Sequence, residues 1–232
     1  MFKFVLCLGV FGLFTSTIYA GMVVTGALAY LRSRKKNRFN PDYCPPVSLF
    51  KPLHGSEPQL EAHLESFFVQ DYPAYEILFC ARHRKDEGLQ IAKRVAARYP
   101  QIPARFLTTG EPHYINAKVH SLELMHAAAS YDIFIISDSD VRVTPNYIRE
   151  VVASFEDKKV GAVTCPYRGV AADAGLWARL EAVGMSIEMT SGVLVARMLE
   201  GMQFTLGPTM AARRECVERI GRIQFARFLL RG

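Results

Sequence analysis

Two aspartates, Asp138 and Asp140, stand one residue apart directly after the run Ile133–Ser137, apolar but for its last residue. Close carboxylates repel, and one of them would keep its proton unless a cation joined them. A hard divalent ion resolves the repulsion, because Mg²⁺ and Mn²⁺ commonly take one or two carboxylates together with phosphate oxygens. A calcium loop would place a further oxygen ligand two positions on, where this chain has Arg142. Asp138 and Asp140 are therefore candidate ligands for Mg²⁺ or Mn²⁺ in a diphosphate site. The plain alternative is a solvated turn in which Asp138 caps a backbone group.

Two further stretches could meet an anionic, sugar-bearing ligand. Asp86 sits in the charged run Arg82–Glu87. There it could accept a hydrogen bond from a base or ribose while its basic neighbours handle phosphate; a solvated charged loop is the usual fate of such a run. Asn116 and Lys118 open a helical segment, where backbone amides and a lysine together favour an anion; a surface cap followed by a solvated lysine fits equally. His54, His63, His83, His113, His120 and His126 show no metal-ligand spacing and read as structural or surface residues. A nucleophile elbow, a Walker loop and a dinucleotide-binding glycine motif are all absent from the sequence.

The elements that must position these residues alternate in type. Strands are expected at 47–53, 75–81, 104–108, 132–137 and 160–166, and amphipathic helices at 58–70, 89–99, 116–129 and 145–155. Such alternation gives an α/β, mainly parallel sheet with helices on both faces. Ligands of these sheets bind beyond the carboxyl ends of the strands. The rim loops are then 54–57, 82–87, 137–142 and 166–169. Residues 175–202 read as a long helix with too many charges to span a membrane. Its apolar face could rest on a lipid surface, but packing against the sheet is the commoner use. Residues 204–221 read as a turn at Gly207-Pro208 and then a short helix.

The first residues carry a different signal. Phe4–Leu31 has no charge and exceeds the roughly 20 residues a helix needs to cross a bilayer. A secretory signal ending near Ala20-Gly21 is the rival reading. The run continues past that point into Arg32, Arg34, Lys35, Lys36 and Arg38, against Lys3 alone on the other side. The positive-inside rule then makes it a single transmembrane anchor with all later residues cytoplasmic. The division expected is an anchor at 1–32, a linker at 33–46 and a catalytic domain at 47–221. Five widely spaced cysteines and no CxxC argue against disulfides or zinc, and Cys80 and Cys165 read as reduced core thiols. The net charge of +6 is partly this basic cluster, and no nucleic-acid-binding motif accompanies it.

Taken together, residues 47–73, 75–88, 115–122, 137–143 and 204–215 resemble the ceramide glucosyltransferase family within the family 2 glycosyltransferases, nearest the bacterial branch linked to hopanoid lipids. The resemblance implies the GT-A fold, a Rossmann-like nucleotide-diphosphosugar domain on a membrane anchor. It implies transfer of glucose or N-acetylglucosamine from a UDP-sugar to a lipid hydroxyl, ceramide-like or hopanoid, by direct displacement. Asp86 then corresponds to the first family aspartate, at the nucleotide, and Asp138 to the second; Asp140 completes the metal-binding pair. Asn116 and Lys118 match an Asn-x-Lys near the nucleotide, Glu57 a carboxylate near uridine, and Gly207, Pro208 and Thr209 an acceptor-side loop.

The family's third aspartate, its base, and a Gln/Arg-x-x-Arg-Trp motif have no counterpart here. No Asp or Glu follows Glu218, and the single tryptophan is Trp177. The resemblance therefore implies a C-terminally truncated chain, with 222–232 a non-native tail and the catalytic base unassigned. The alternatives are an inactive nucleotide-sugar-binding fragment and a nucleotidyltransferase of the same fold. The latter would need a Gly- and Arg-rich phosphate loop that HGSEPQL does not supply.

Overall fold

A computed structural model describes residues 2–36, 40–111, 116–171, 173–202 and 204–220. The proposed tail at 222–232 lies outside these residues. The chain divides into two compact units, one of 1–39 and 166–204, the other of 40–165 and 205–232.

The larger unit is built on a six-stranded sheet of order β3-β2-β1-β4-β6-β5. Its strands are β1 (Val47–Pro52), β2 (Tyr75–Ala81), β3 (Ala104–Thr108), β4 (Ile133–Ser137), β5 (Ala162–Thr164) and β6 (Thr209–Arg213). β1 pairs in parallel with β2 and β4, and β2 with β3. The carboxyl ends of these four strands therefore share one edge, as the alternating pattern requires. β1, β2 and β4 are buried on both faces, which explains their nearly continuous apolar runs.

Two core layers cover the faces. On one side, Val47, Leu49, Ile77, Phe79 and Ile135 pack with α2 (Leu60–Glu65), α3 (Glu87–Ala97) and α5 (Tyr147–Val152). On the other, Phe50, Leu78, Phe134 and Ile136 pack with α4 (Ala117–Ala128) and α7 (Arg214–Ile220). The pleat alternates residues between these layers.

One element departs from the sequence expectation. The Gly207-Pro208 turn leads first into β6, and only then into the short helix. β6 runs antiparallel between β4 and β5. Met210-Ala211-Ala212 has little intrinsic strand preference, so pairing on both edges overrides local propensity.

The smaller unit pairs α1 (Phe2–Lys36) with α6 (Leu176–Glu200). Tyr19 donates to Ser191 Oγ at 3.0 Å, and the Arg197 guanidinium lies 5.4 Å from the Tyr30 ring centre. A β-carbon on Gly26 would stand 3.0 Å from the Leu194 carbonyl, so glycine permits this close approach. Both helices are long and apolar enough to cross a membrane. For α6 this corrects the expectation that its charges are too many for a span. Apart from Glu188, its charges gather near its ends, at Arg179, Glu181, Arg197 and Glu200. Of its residues only Val195 is buried. All five cysteines are free thiols.

Candidate functional site

The carboxyl ends of β1, β2 and β4 deliver three loops to one edge of the sheet. β4 ends at Ser137, so Asp138 is the first residue beyond the ladder. Its N–H donates to the Pro208 carbonyl at 3.1 Å. β6 makes this possible, because Ser137 pairs with Thr209. The antiparallel strand thus sets Gly207, Pro208 and Thr209 beside the aspartate loop.

Asp138 Oδ1 accepts from the Lys118 ammonium at 2.5 Å. Lys118 is held at the start of α4, where Asn116 caps the helix by accepting from the Lys118 N–H at 2.9 Å. Glu57 Oε2 accepts from Ser139 Oγ at 3.0 Å, bringing the β1 loop onto the residue between the two aspartates. Asp140 is exposed. Glu57, Asn116, Lys118, Asp138, Asp140 and Gly207–Thr209 are thus brought together.

Asp86 occupies a different role locally. It caps α3 by accepting from the Leu89 N–H at 3.2 Å, and its other oxygen accepts from the Gly55 N–H at 3.0 Å. Both oxygens are therefore spent on main-chain donors that tie the β1 loop to α3. A β-carbon on Gly88 would stand 2.5 Å from the Gly55 carbonyl, so only glycine fits beneath this junction.

The residue missed in the sequence is Lys51. It is fully buried in β1, where its ammonium donates to the Asp138 carbonyl and to Ser137 Oγ, the latter at 3.4 Å. It lies 3.7 Å from the Phe67 ring centre. Burial pushes the Lys51 ammonium down to about 7, while Asp138, Asp140 and Glu57 pull it back up. A lysine inside the otherwise apolar run VSLFKPL was the available signal. His63, read from sequence as structural or surface, stands on α2 within electrostatic reach of Lys51, Asp140 and Glu57; burial lowers its pKa. Tyr147 is a half-buried neighbour: its hydroxyl donates to Thr209 Oγ1 at 3.4 Å. Burial raises its pKa.

Among the described residues no group of three or more His, Cys, Asp or Glu side chains could hold a metal ion. The aspartate pair nevertheless fits a hard ion that takes phosphate oxygens for its remaining ligands. Lys118 engages one oxygen of Asp138. The second Asp138 oxygen and both Asp140 oxygens have no hydrogen-bond partner among the described residues.

Comparison with known proteins bears on this arrangement. The family "Glycosyl transferase family 21" matches residues 10–228. Ceramide glucosyltransferase 1 of Caenorhabditis elegans is 32% identical over 158 residues, which is 67% of this chain and 34% of that protein. The ceramide glucosyltransferase of Komagataella phaffii is 35% identical over 116 residues, 48% of this chain and 23% of the relative. The chain thus spans about a third or less of the length of these relatives. The mannosyltransferase PcManGT from Pyrobaculum calidifontis, solved with GDP-Man and Mn²⁺, superposes with a TM-score of 0.61 at 22% identity, covering 87% of this chain and 56% of that one. Glucosyl-3-phosphoglycerate synthase of Mycobacterium tuberculosis, solved with Mn²⁺, UDP-glucose and phosphoglyceric acid, gives 0.51 at 20% identity, covering 80% and 67%. These likenesses bear out the GT-A fold expected for the α/β sheet.

Proposed function

Since the chain belongs to glycosyl transferase family 21, we propose that it serves transfer of a hexose, glucose or N-acetylglucosamine, from a UDP-sugar to a lipid hydroxyl. The observation that carries this reading is the meeting of Asp138, Asp140, Lys118 and Glu57 at the carboxyl edge of a GT-A sheet. The relatives are ceramide glucosyltransferases, and the structural neighbours were solved with nucleotide sugars and Mn²⁺. A ceramide-like or a hopanoid alcohol is the acceptor class.

In this reading Asp138 and Asp140 hold Mg²⁺ or Mn²⁺. Such an ion, when bound, neutralises charge on the leaving diphosphate. Lys118 moves its ammonium from Asp138 toward the diphosphate, and the amides at the start of α4 support the same anion. Glu57 and Asp86 border the nucleotide. Gly207, Pro208 and Thr209 border the acceptor hydroxyl, a role supported by the Pro208–Asp138 hydrogen bond that ties their loop to the aspartate loop. α1 anchors the chain in the membrane, with the sheet on the cytoplasmic side, where UDP-sugars and lipid hydroxyls meet.

Calorimetry with UDP-glucose and UDP-N-acetylglucosamine, with and without Mn²⁺, tests the donor site in the full chain. Mn²⁺-dependent binding lost in Asp138→Ala supports it. Binding that ignores this substitution overturns the site assignment. Sugar incorporation into a ceramide or hopanoid extract separates transfer from donor binding alone.

A further inference from the structure

We infer that Lys51 is a positioning residue: its buried ammonium fixes the main chain at Asp138, the residue whose N–H ties the aspartate loop to the Gly207–Thr209 loop. The inference rests on the reading of Asp138 and Asp140 as donor-binding residues.

The argument begins with cost. A fully buried ammonium is expensive, and an apolar side chain of similar volume often serves packing as well or better. At Lys51 the strand pleat points inward to the layer of Leu49, Phe67 and Leu64, where methionine or leucine would suit a purely structural need. The partners of Lys51 show what an apolar residue could not do. They are the carbonyl of Asp138, the hydroxyl of Ser137 and the face of Phe67. The carbonyl matters most. β4 ends at Ser137, so the sheet no longer dictates the orientation of the next peptide.

Two bonds replace that control. The Asp138 N–H is held by the Pro208 carbonyl at 3.1 Å, and the Asp138 carbonyl is held by Lys51. With both ends of the residue fixed, its side chain has one direction in which to leave. The same ammonium reaches Ser137 Oγ at 3.4 Å, and Ser137 pairs with Thr209 across β4 and β6. The contacts of Lys51 therefore end on the strand pair that carries both loops. Lys51 is fully buried, so it acts on a ligand only through Asp138 and these partners.

The test uses the full chain in detergent with UDP and Mn²⁺ as probes. Lys51→Met is expected to melt at or above the wild-type temperature, yet to bind Mn²⁺–UDP about tenfold more weakly, the scale seen when a residue supporting a metal ligand is lost. Hydrogen–deuterium exchange of 137–142 without ligand should quicken. Lys51→Gln, which keeps an N–H donor, should recover part of both. If Lys51→Met does not fold, Lys51→Gln and Ser137→Ala carry the same comparison, each with faster exchange and weaker UDP binding expected. If the variants bind UDP like wild type and exchange is unchanged, the positioning role is overturned and the donor site stands. If wild type itself binds no UDP, the donor reading fails first, and the inference with it.

Discussion

The Lys118 ammonium lies 2.5 Å from Oδ1 of Asp138, so the first aspartate of the pair already holds a cation before any ligand arrives. An incoming metal must share that carboxylate or displace the lysine. Removing the ammonium should therefore help the bare ion and harm the nucleotide. In Lys118→Met, Mn²⁺ alone is expected to bind about fivefold more tightly, the scale of a partly exposed ion pair, and UDP more weakly. Calorimetry on each ligand checks this. Unchanged UDP affinity would show that the ammonium does not pass to the phosphate.

Asp86 holds two main-chain N–H groups, of Gly55 and Leu89. Asp86→Ala strips the cap from α3 and should cost about 1–2 kcal/mol, read as a lower melting temperature. Asp86→Asn keeps an acceptor oxygen and should recover most of that stability. If Asp86 also faces the nucleotide, UDP affinity will stay low in the Asn variant. Full recovery of both would confine Asp86 to capping.

Gly88→Ala places its methyl 2.5 Å from the Gly55 carbonyl. The backbone must shift, at a cost of about 1–3 kcal/mol. The shift would carry the β1 loop with it. A lower melting temperature with weaker UDP binding is expected, and a neutral outcome would mean the loop moves freely.

Burial, reinforced by the charge of Glu150, pushes the Cys165 thiol from 9.0 up to about 11. The folded chain therefore keeps this proton while the unfolded chain loses it. Between about pH 9 and 11 the folded state binds more protons, so this group makes stability fall as pH rises through that window. Below pH 9 it has no effect on the balance. At pH 8, iodoacetamide should spare Cys165 and the buried Cys80 in the native protein. Mass spectrometry showing Cys165 alkylated as fast as Cys44 would contradict this.

The single tryptophan, Trp177, is 82% exposed near the start of α6. If α6 rests in lipid, Trp177 emission should shift to the blue on transfer from detergent to vesicles. Brominated acyl chains should then quench it. Emission of a water-exposed indole in vesicles would place this end of α6 outside the bilayer.

Much of this fold was legible in the sequence because its strands are buried on both faces. Runs such as YEILFCA and DIFIIS leave little choice of secondary structure. The aspartate pair was legible for the same reason, since it follows such a run directly. β6 was not: Met210-Ala211-Ala212 carries no strand signal, and its pairing partners are remote in the chain. Nor was Lys51, because a lysine in a strand reads as an edge or an end until burial shows it beneath Asp138. The span-length character of α6 escaped as well, since its charges were counted without regard to where along the helix they fall.

The chain leaves β5 at Thr164 and returns at Thr209 in β6, yet these strands pair directly, Val163 with Ala211 and Thr164 with Met210. The Cys165 N–H still reaches the Thr209 carbonyl at 3.2 Å. Everything between departs and returns at neighbouring points of one ladder. In engineering terms, 166–204 is a cassette inserted between two strands that already pair. A tight turn could join the two strands as an ordinary hairpin, and with α1 also removed the sheet would become a candidate for water-soluble production. Cassettes exchanged among relatives would then ask which part of the chain selects the acceptor.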